Sequence, residues 1–138
     1  MNDDELKSLL ESSRTVAVVG LSTDPQKASS KVAEVLIDAG YDVIPVHPKA
    51  TSILGRTAYP SLAAIPVPVD IVDVFRPAAE AAGIAREAVE VGAKTLWLQL
   101  GIVSSDAEAI AEDAGLPYLE DICIGDTTTR LGNRAAVA

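Results

Sequence analysis

A single cysteine in 138 residues excludes an internal disulfide framework. No apolar run approaches the ~20 residues of a membrane-spanning helix. The start, Met1-Asn2-Asp3-Asp4-Glu5, has neither the basic nor the apolar region of a signal peptide. Cations are scarce: 11 Lys and Arg against 20 Asp and Glu leave a formal charge of -9. That argues against a nucleic-acid or anionic-membrane surface. One histidine and one cysteine cannot build an ordinary structural zinc site. Nor does the lone His47 stand at a recognisable spacing from a Ser or Cys partner, so a hydrolase triad is unsupported. A soluble cytoplasmic protein is the expectation.

What is present is a globular balance of 49% hydrophobic and 22% charged residues. The length suits one domain over residues 1–138, burying about 68% of its extended-chain surface. Asn2 and Glu5 form a capping-box pattern ahead of Leu6, Leu9 and Leu10, predicting a helix over 3–12. Thr15-Val16-Ala17-Val18-Val19 is unbroken and β-branched, as a strand buried on both faces requires. A helix over 29–39, stopped by Gly40, and a strand over 41–46 complete a β-α-β unit.

The alternation repeats. Val69 to Phe75 reads as a strand, and Pro77 opens a helix that ends before Gly92. Lys94 to Leu98 is the next strand. Ser105 to Glu108 reads as a capping box for a helix stopped at Gly115, and 116–119 is the last strand. Residues 47–66, with three prolines, read as a long, partly irregular connection holding a helical turn at 61–65, of the kind that often carries function. Residues 125–138 read as a polar, then alanine-rich, fraying tail. The fold class is α/β: an open, mostly parallel sheet of about five strands with helices on both faces. Such sheets bind ligands at the carboxyl ends of their strands.

The first strand-to-helix turn carries Gly20, Leu21 and Ser22, then Lys27, Ser29 and Ser30, without a G-x-G-x-x-G pattern. Free N–H groups and hydroxyls at a helix start suit a phosphate, although serine is also an ordinary cap. After the second strand come His47, Pro48 and Lys49, and no carboxylate lies between Ile44 and Asp70. An NAD site places an acidic residue there, so a ribose-phosphate nucleotide, coenzyme A or NADP, fits better. Taken alone, Lys49 is also an ordinary solvated lysine. Phe75 and Arg76 end the third strand. Gln99, Gly101 and Ile102 end the fourth, where an amide side chain can read a ligand. Trp97 reads as core. Lys27, Lys31, Lys49, Arg56 and Arg76 fall in or beside these connections, a locally basic crevice on an acidic protein.

The segments 16–22, 43–49, 59–62, 69–76 and 97–102, taken in order, closely resemble the stand-alone CoA-binding domain family. That family is similar in fold to the N-terminal domain of the succinyl-CoA synthetase α subunit. The resemblance spans roughly residues 14–124. It implies a Rossmann-like domain with CoA across the strand ends, and with no catalytic constellation in the sequence the expectation is a non-catalytic protein that binds coenzyme A or acyl-CoA. By motif position, Gly20, Leu21, Ser22 and the 27–30 stretch would embrace the pyrophosphate. His47, Pro48 and Lys49 would face the adenosine and its 3′-phosphate. Phe75 and Arg76 would border the adenine or phosphate side, and Gln99, Gly101 and Ile102 the path from ribose to pantetheine. Two departures stand out. Relatives usually carry Asn in place of His47. The basic residue and Glu-His pair that follow the late cysteine are also missing, although Cys123, Arg130 and Leu131 fit.

Asp70 and Asp73 share a strand at odd spacing and make a poor catalytic pair. Cys123 reads either as a small buried hydrophobe or as a partner for a mixed disulfide with the CoA thiol. Two other readings stay open. One is an NADP-binding oxidoreductase or sensor domain. The other is a nucleotide-binding regulatory subunit that docks on a separate acyl-CoA ligase as its protein partner.

Overall fold

The computed structural model describes residues 1–137. In chain order the elements are α1 (Asp3–Glu11), β1 (Thr15–Val19), α2 (Ala28–Asp38), β2 (Asp42–Val46), β3 (Ser52–Ile53), β4 (Arg56–Thr57), a 3-10 turn (Leu62–Ala64), β5 (Ile71–Val74), α3 (Ala78–Glu90), β6 (Thr95–Leu98), α4 (Ser105–Ala114), β7 (Tyr118–Leu119) and α5 (Ile124–Leu131). The five longer-range strands form one parallel sheet in the order β2-β1-β5-β6-β7. The chain steps from β1 outward to β2, then crosses back over β1 to β5. Ligand crevices open at such a reversal, here above the carboxyl ends of β1 and β5.

Side-chain alternation divides the core into two layers. On one face Val16, Val18, Ile71, Trp97 and Leu119 pack beneath Leu6 and Leu10 of α1, Leu36 of α2 and Ile124 of α5. On the other, Ala17, Val72, Val74, Leu96 and Leu98 pack beneath Ile84, Ala85 and Ala88 of α3 and Ala107 and Ala111 of α4. Trp97 is the core residue expected, and its indole N–H donates to the Ile122 carbonyl at 2.9 Å. The capping box of α1 is also present: Glu5 N–H donates to Asn2 Oδ1 at 2.8 Å, and Asn2 N–H donates to Glu5 Oε1 at 3.3 Å.

Two expectations need correction. First, of the segment expected to fray, residues 124–131 are helical and Asn133, Ala135 and Ala136 are tied down, Ala138 lying outside the described residues. Gly132 caps α5 at φ 64°. The Asn133 side-chain amide donates to the Lys7 carbonyl, and Arg130 pairs with Asp3 at 2.7 Å. Ala135 N–H and Ala136 N–H reach the Ala39 and Ser13 carbonyls. Thr127, Thr128 and Thr129 have weak helix propensity, so burial of Ile124, Thr127 and Thr128 against α2 and α1 decides the outcome.

Second, the cap of α4 is Ser104, whose Oγ accepts from Ala107 N–H at 3.1 Å, one residue before the capping box expected at Ser105. Residues 47–66 are partly irregular, as expected, and the helical turn expected at 61–65 is the 3-10 turn at Leu62–Ala64. β3 and β4 form a small hairpin, and Tyr59 pairs in parallel with Val46, extending the sheet edge beside the end of β2.

Candidate functional site

A cavity of about 470 Å³ lies above the carboxyl ends of β1 and β2. Its base is Val19 and Gly20 after β1, with Val46, His47 and Pro48 after β2. Leu21, Ser22 and Thr23 form one wall. Pro60 and Ser61, held there by the Val46–Tyr59 pairing, form a second. The third is Arg76 with Glu80, Ile84 and Glu87 on one face of α3. Its volume falls within the range of small-molecule sites.

The wall after β1 is braced by its own side chains. Ser22 N–H donates to Ser29 Oγ at 3.0 Å, and Asp24 N–H to Ser22 Oγ at 3.0 Å. Gln26 N–H donates to Asp24 Oδ1 at 2.9 Å. The Ser30 hydroxyl donates to the Asp24 and Ser22 carbonyls at 2.8 and 3.2 Å. Both serines, expected to be available to a phosphate, are buried; the Ser30 hydroxyl is committed to the loop as a donor, whereas Ser29 Oγ accepts one bond there and keeps its own proton. The brace also presents backbone: among the described residues Ala28 N–H and Ser29 N–H at the start of α2 have no carbonyl partner, whereas Ser30 N–H and Lys31 N–H donate to the Lys27 carbonyl at 3.1 and 3.2 Å. Lys27 is exposed and, like Ser29 and Ser30, stands outside the cavity lining.

At the second strand end, His47 Nδ1 accepts from both Lys49 N–H and Ala50 N–H, at 3.0 and 2.9 Å. An asparagine oxygen could accept from the same two N–H groups, so the local turn needs an acceptor at this position rather than an imidazole. His47 N–H is itself bonded to the Tyr59 carbonyl at 2.9 Å. Lys49 is exposed just beyond this turn and does not line the cavity.

The remaining candidates separate. Arg76 lines the cavity while its neighbour Phe75 packs against the core. Gln99 is turned inward: it is 2% exposed, donates Nε2–H to Asp73 Oδ1, and accepts from Ile124 N–H at 3.4 Å. Burial pushes the Asp73 carboxyl up to about 8, against which the Gln99 donor works. Gly101 N–H is held by Asp121 Oδ1 at 2.7 Å, and Ile102 packs against the α3–α4 layer. Neither lines the cavity. Cys123 caps α5 beside a separate hollow lined by Leu100, Asp126 and Arg130.

The structure thus brings together Gly20, Leu21, Ser22, His47, Pro48 and Arg76, and leaves Lys27, Ser29, Ser30, Lys49, Phe75, Gln99, Gly101 and Ile102 outside the lining. It adds Pro60, Ser61, Glu80 and Glu87. The spacing of Glu80, Ile84 and Glu87, four and then three residues, is the signal that could have placed them on one helix face.

Comparison with known proteins follows the same lines. The family described as CoA binding domain matches residues 14–128. An uncharacterised protein, YneT of Bacillus subtilis (strain 168), is 40% identical over 120 residues, covering 87% of this chain and 89% of that protein. The structure of cell-free ID.343 from Thermus thermophilus superimposes with a TM-score of 0.90 at 35% identity, over 95% of this chain and 99% of that one. A dinucleotide-forming acetyl-coenzyme A synthetase 1 of Ca. Korarchaeum cryptofilum, in complex with phosphate and ADP, shares the fold. Its TM-score is 0.61 at 24% identity, over 94% of this chain but 26% of that longer one.

Proposed function

Since the chain belongs to the CoA binding domain family, we propose that it binds coenzyme A or an acyl-CoA without transforming it. The observation that carries this reading is the convergence, at the β1/β5 reversal, of the braced loop after Gly20, the His47-Pro48 turn and Arg76 around one cavity. A phosphate at the Leu21–Thr23 wall would lie towards the start of α2, to which Ser22 N–H is tied through Ser29 Oγ and where partial positive charge is concentrated. Apolar Val19, Val46 and Ile84 supply a surface for the uncharged parts of the ligand. Binding without catalysis is supported by His47, the one imidazole in the chain, which spends Nδ1 on two backbone N–H groups.

The test is a thermal-shift panel of CoA, acetyl-CoA, NADP and NAD on the purified protein. A ligand that binds only the folded state raises the melting temperature with its concentration. CoA and acetyl-CoA are expected to do so, and NADP and NAD are not. A shift with NADP and none with CoA would overturn the reading.

A further inference from the structure

Arg76 is the only Lys or Arg among the residues lining the cavity, and it shares that lining with two carboxylates, Glu80 and Glu87. Its guanidinium is already engaged. Nη2 donates to Glu80 Oε2 at 2.7 Å, and Nε donates to Glu80 Oε1 at 3.2 Å, a two-pronged pair. Glu80 sits in the first turn of α3, where the helix dipole favours a carboxylate. The arginine stem is held as well: a Cβ placed on Gly20 would stand 2.7 Å from Arg76 Cδ, so the stem lies directly on that backbone. The arm is thus fixed at its base and tied at its tip.

A ligand rich in phosphate meets a cavity whose one guanidinium is neutralised and whose α3 wall carries further negative charge. The pair is roughly half exposed on both sides, 46% and 47%, and exposed pairs of this kind are weak and readily exchanged. From this we infer that Arg76 changes partners on binding: it leaves Glu80 for a ligand phosphate, and Glu80 acts as a built-in competitor that lowers affinity for the polyanion. Glu80 is a positioning residue acting through Arg76. The inference rests on the CoA reading above and adds to it the device that tunes the site.

The experiment is calorimetric titration of CoA into the wild-type protein, Glu80→Gln, Arg76→Gln and the double variant, with thermal melts of the free proteins to follow folding. Glu80→Gln is expected to bind CoA about two- to fivefold tighter than wild type, since competition for the guanidinium is removed. In the Arg76→Gln background the same change is expected to alter affinity by less than about twofold, because the exchange has no arm to act through. Unchanged or weaker binding by Glu80→Gln would overturn the inference. So would an equal gain in the Arg76→Gln background, which would mean that Glu80 acts on the ligand directly. If CoA fails to bind the wild-type protein at all, the reading beneath falls, and the exchange with it.

Discussion

Gln99 donates its side-chain amide to Asp73 inside the sheet, and the other carboxyl oxygen of Asp73 is buried with no partner. Burial therefore dominates, and the acid holds its proton up to about 8 against an ordinary value of 3.8. In the unfolded chain the proton is lost near the ordinary value. The contribution of this group to stability is intact below that value and falls away as pH rises through the folded one. Asp73→Asn is expected to be more stable than wild type at pH 8 by on the order of 2 kcal/mol or more. The gap should close towards pH 4, as read by urea midpoints at the two pH values. A gap that is constant with pH would contradict the assignment.

Gly20 ends β1 at φ 92°, a conformation that non-glycine residues rarely adopt. An added Cβ would also meet the Phe75 carbonyl oxygen at 2.9 Å. Gly20→Ala is expected to cost about 1–3 kcal/mol of stability. It should also weaken CoA, because relief of the clash displaces Arg76. Chemical denaturation and calorimetry of the variant check both effects, and a variant as stable as wild type would contradict this account of the β1 turn.

His47 serves the backbone through Nδ1, so its substitutions divide by hydrogen-bonding capacity. His47→Ala leaves two N–H groups without their acceptor and is expected to cost about 1 kcal/mol or more. His47→Asn supplies an oxygen at the same turn and is expected to stay within about 0.5 kcal/mol of wild type. Equal losses in the two variants would show that the imidazole matters for something other than that acceptor.

Lys49 is exposed beside this turn. Lys49→Ala is expected to leave stability within about 0.5 kcal/mol of wild type. Its effect should be on binding, weakening CoA more than dephospho-CoA, since only the former carries the 3′-phosphate. Calorimetry with the two ligands decides, and equal losses would remove Lys49 from the ribose end.

The sheet was legible because its signals are local. Val16 to Val19 and Ile71 to Val74 read as buried strands from their own residues, and Gly40 and Gly115 stop the helices they follow. α5 was not legible: a threonine-rich segment becomes helical only because Ile124, Thr127 and Thr128 have a face to bury against. The site was legible where backbone conformation dictates the residue, at Gly20, and at the β2 end, where His47 and Pro48 follow the strand. It was misread where side-chain direction matters. Gln99 lies beyond a strand end, as a ligand-reading residue would, yet it follows Trp97 by two residues and turns to the same inner face, towards Asp73. Ser30 has the chemistry for phosphate but donates its hydroxyl within the loop, and Ser29 is turned there as an acceptor. Glu80 and Glu87 reach the cavity only because α3 packs beside the 3-10 turn at Leu62–Ala64 and β6, a relationship no local pattern carries.

The central claim, a CoA site at the β1/β5 reversal, is tested most directly by nuclear magnetic resonance titration of the isotopically labelled protein with CoA. The account predicts saturable shifts concentrated in the backbone amides of Leu21 to Thr23, His47, Lys49 and Arg76. A spectrum unchanged at saturating CoA, or shifts confined to the hollow beside Cys123, would contradict it.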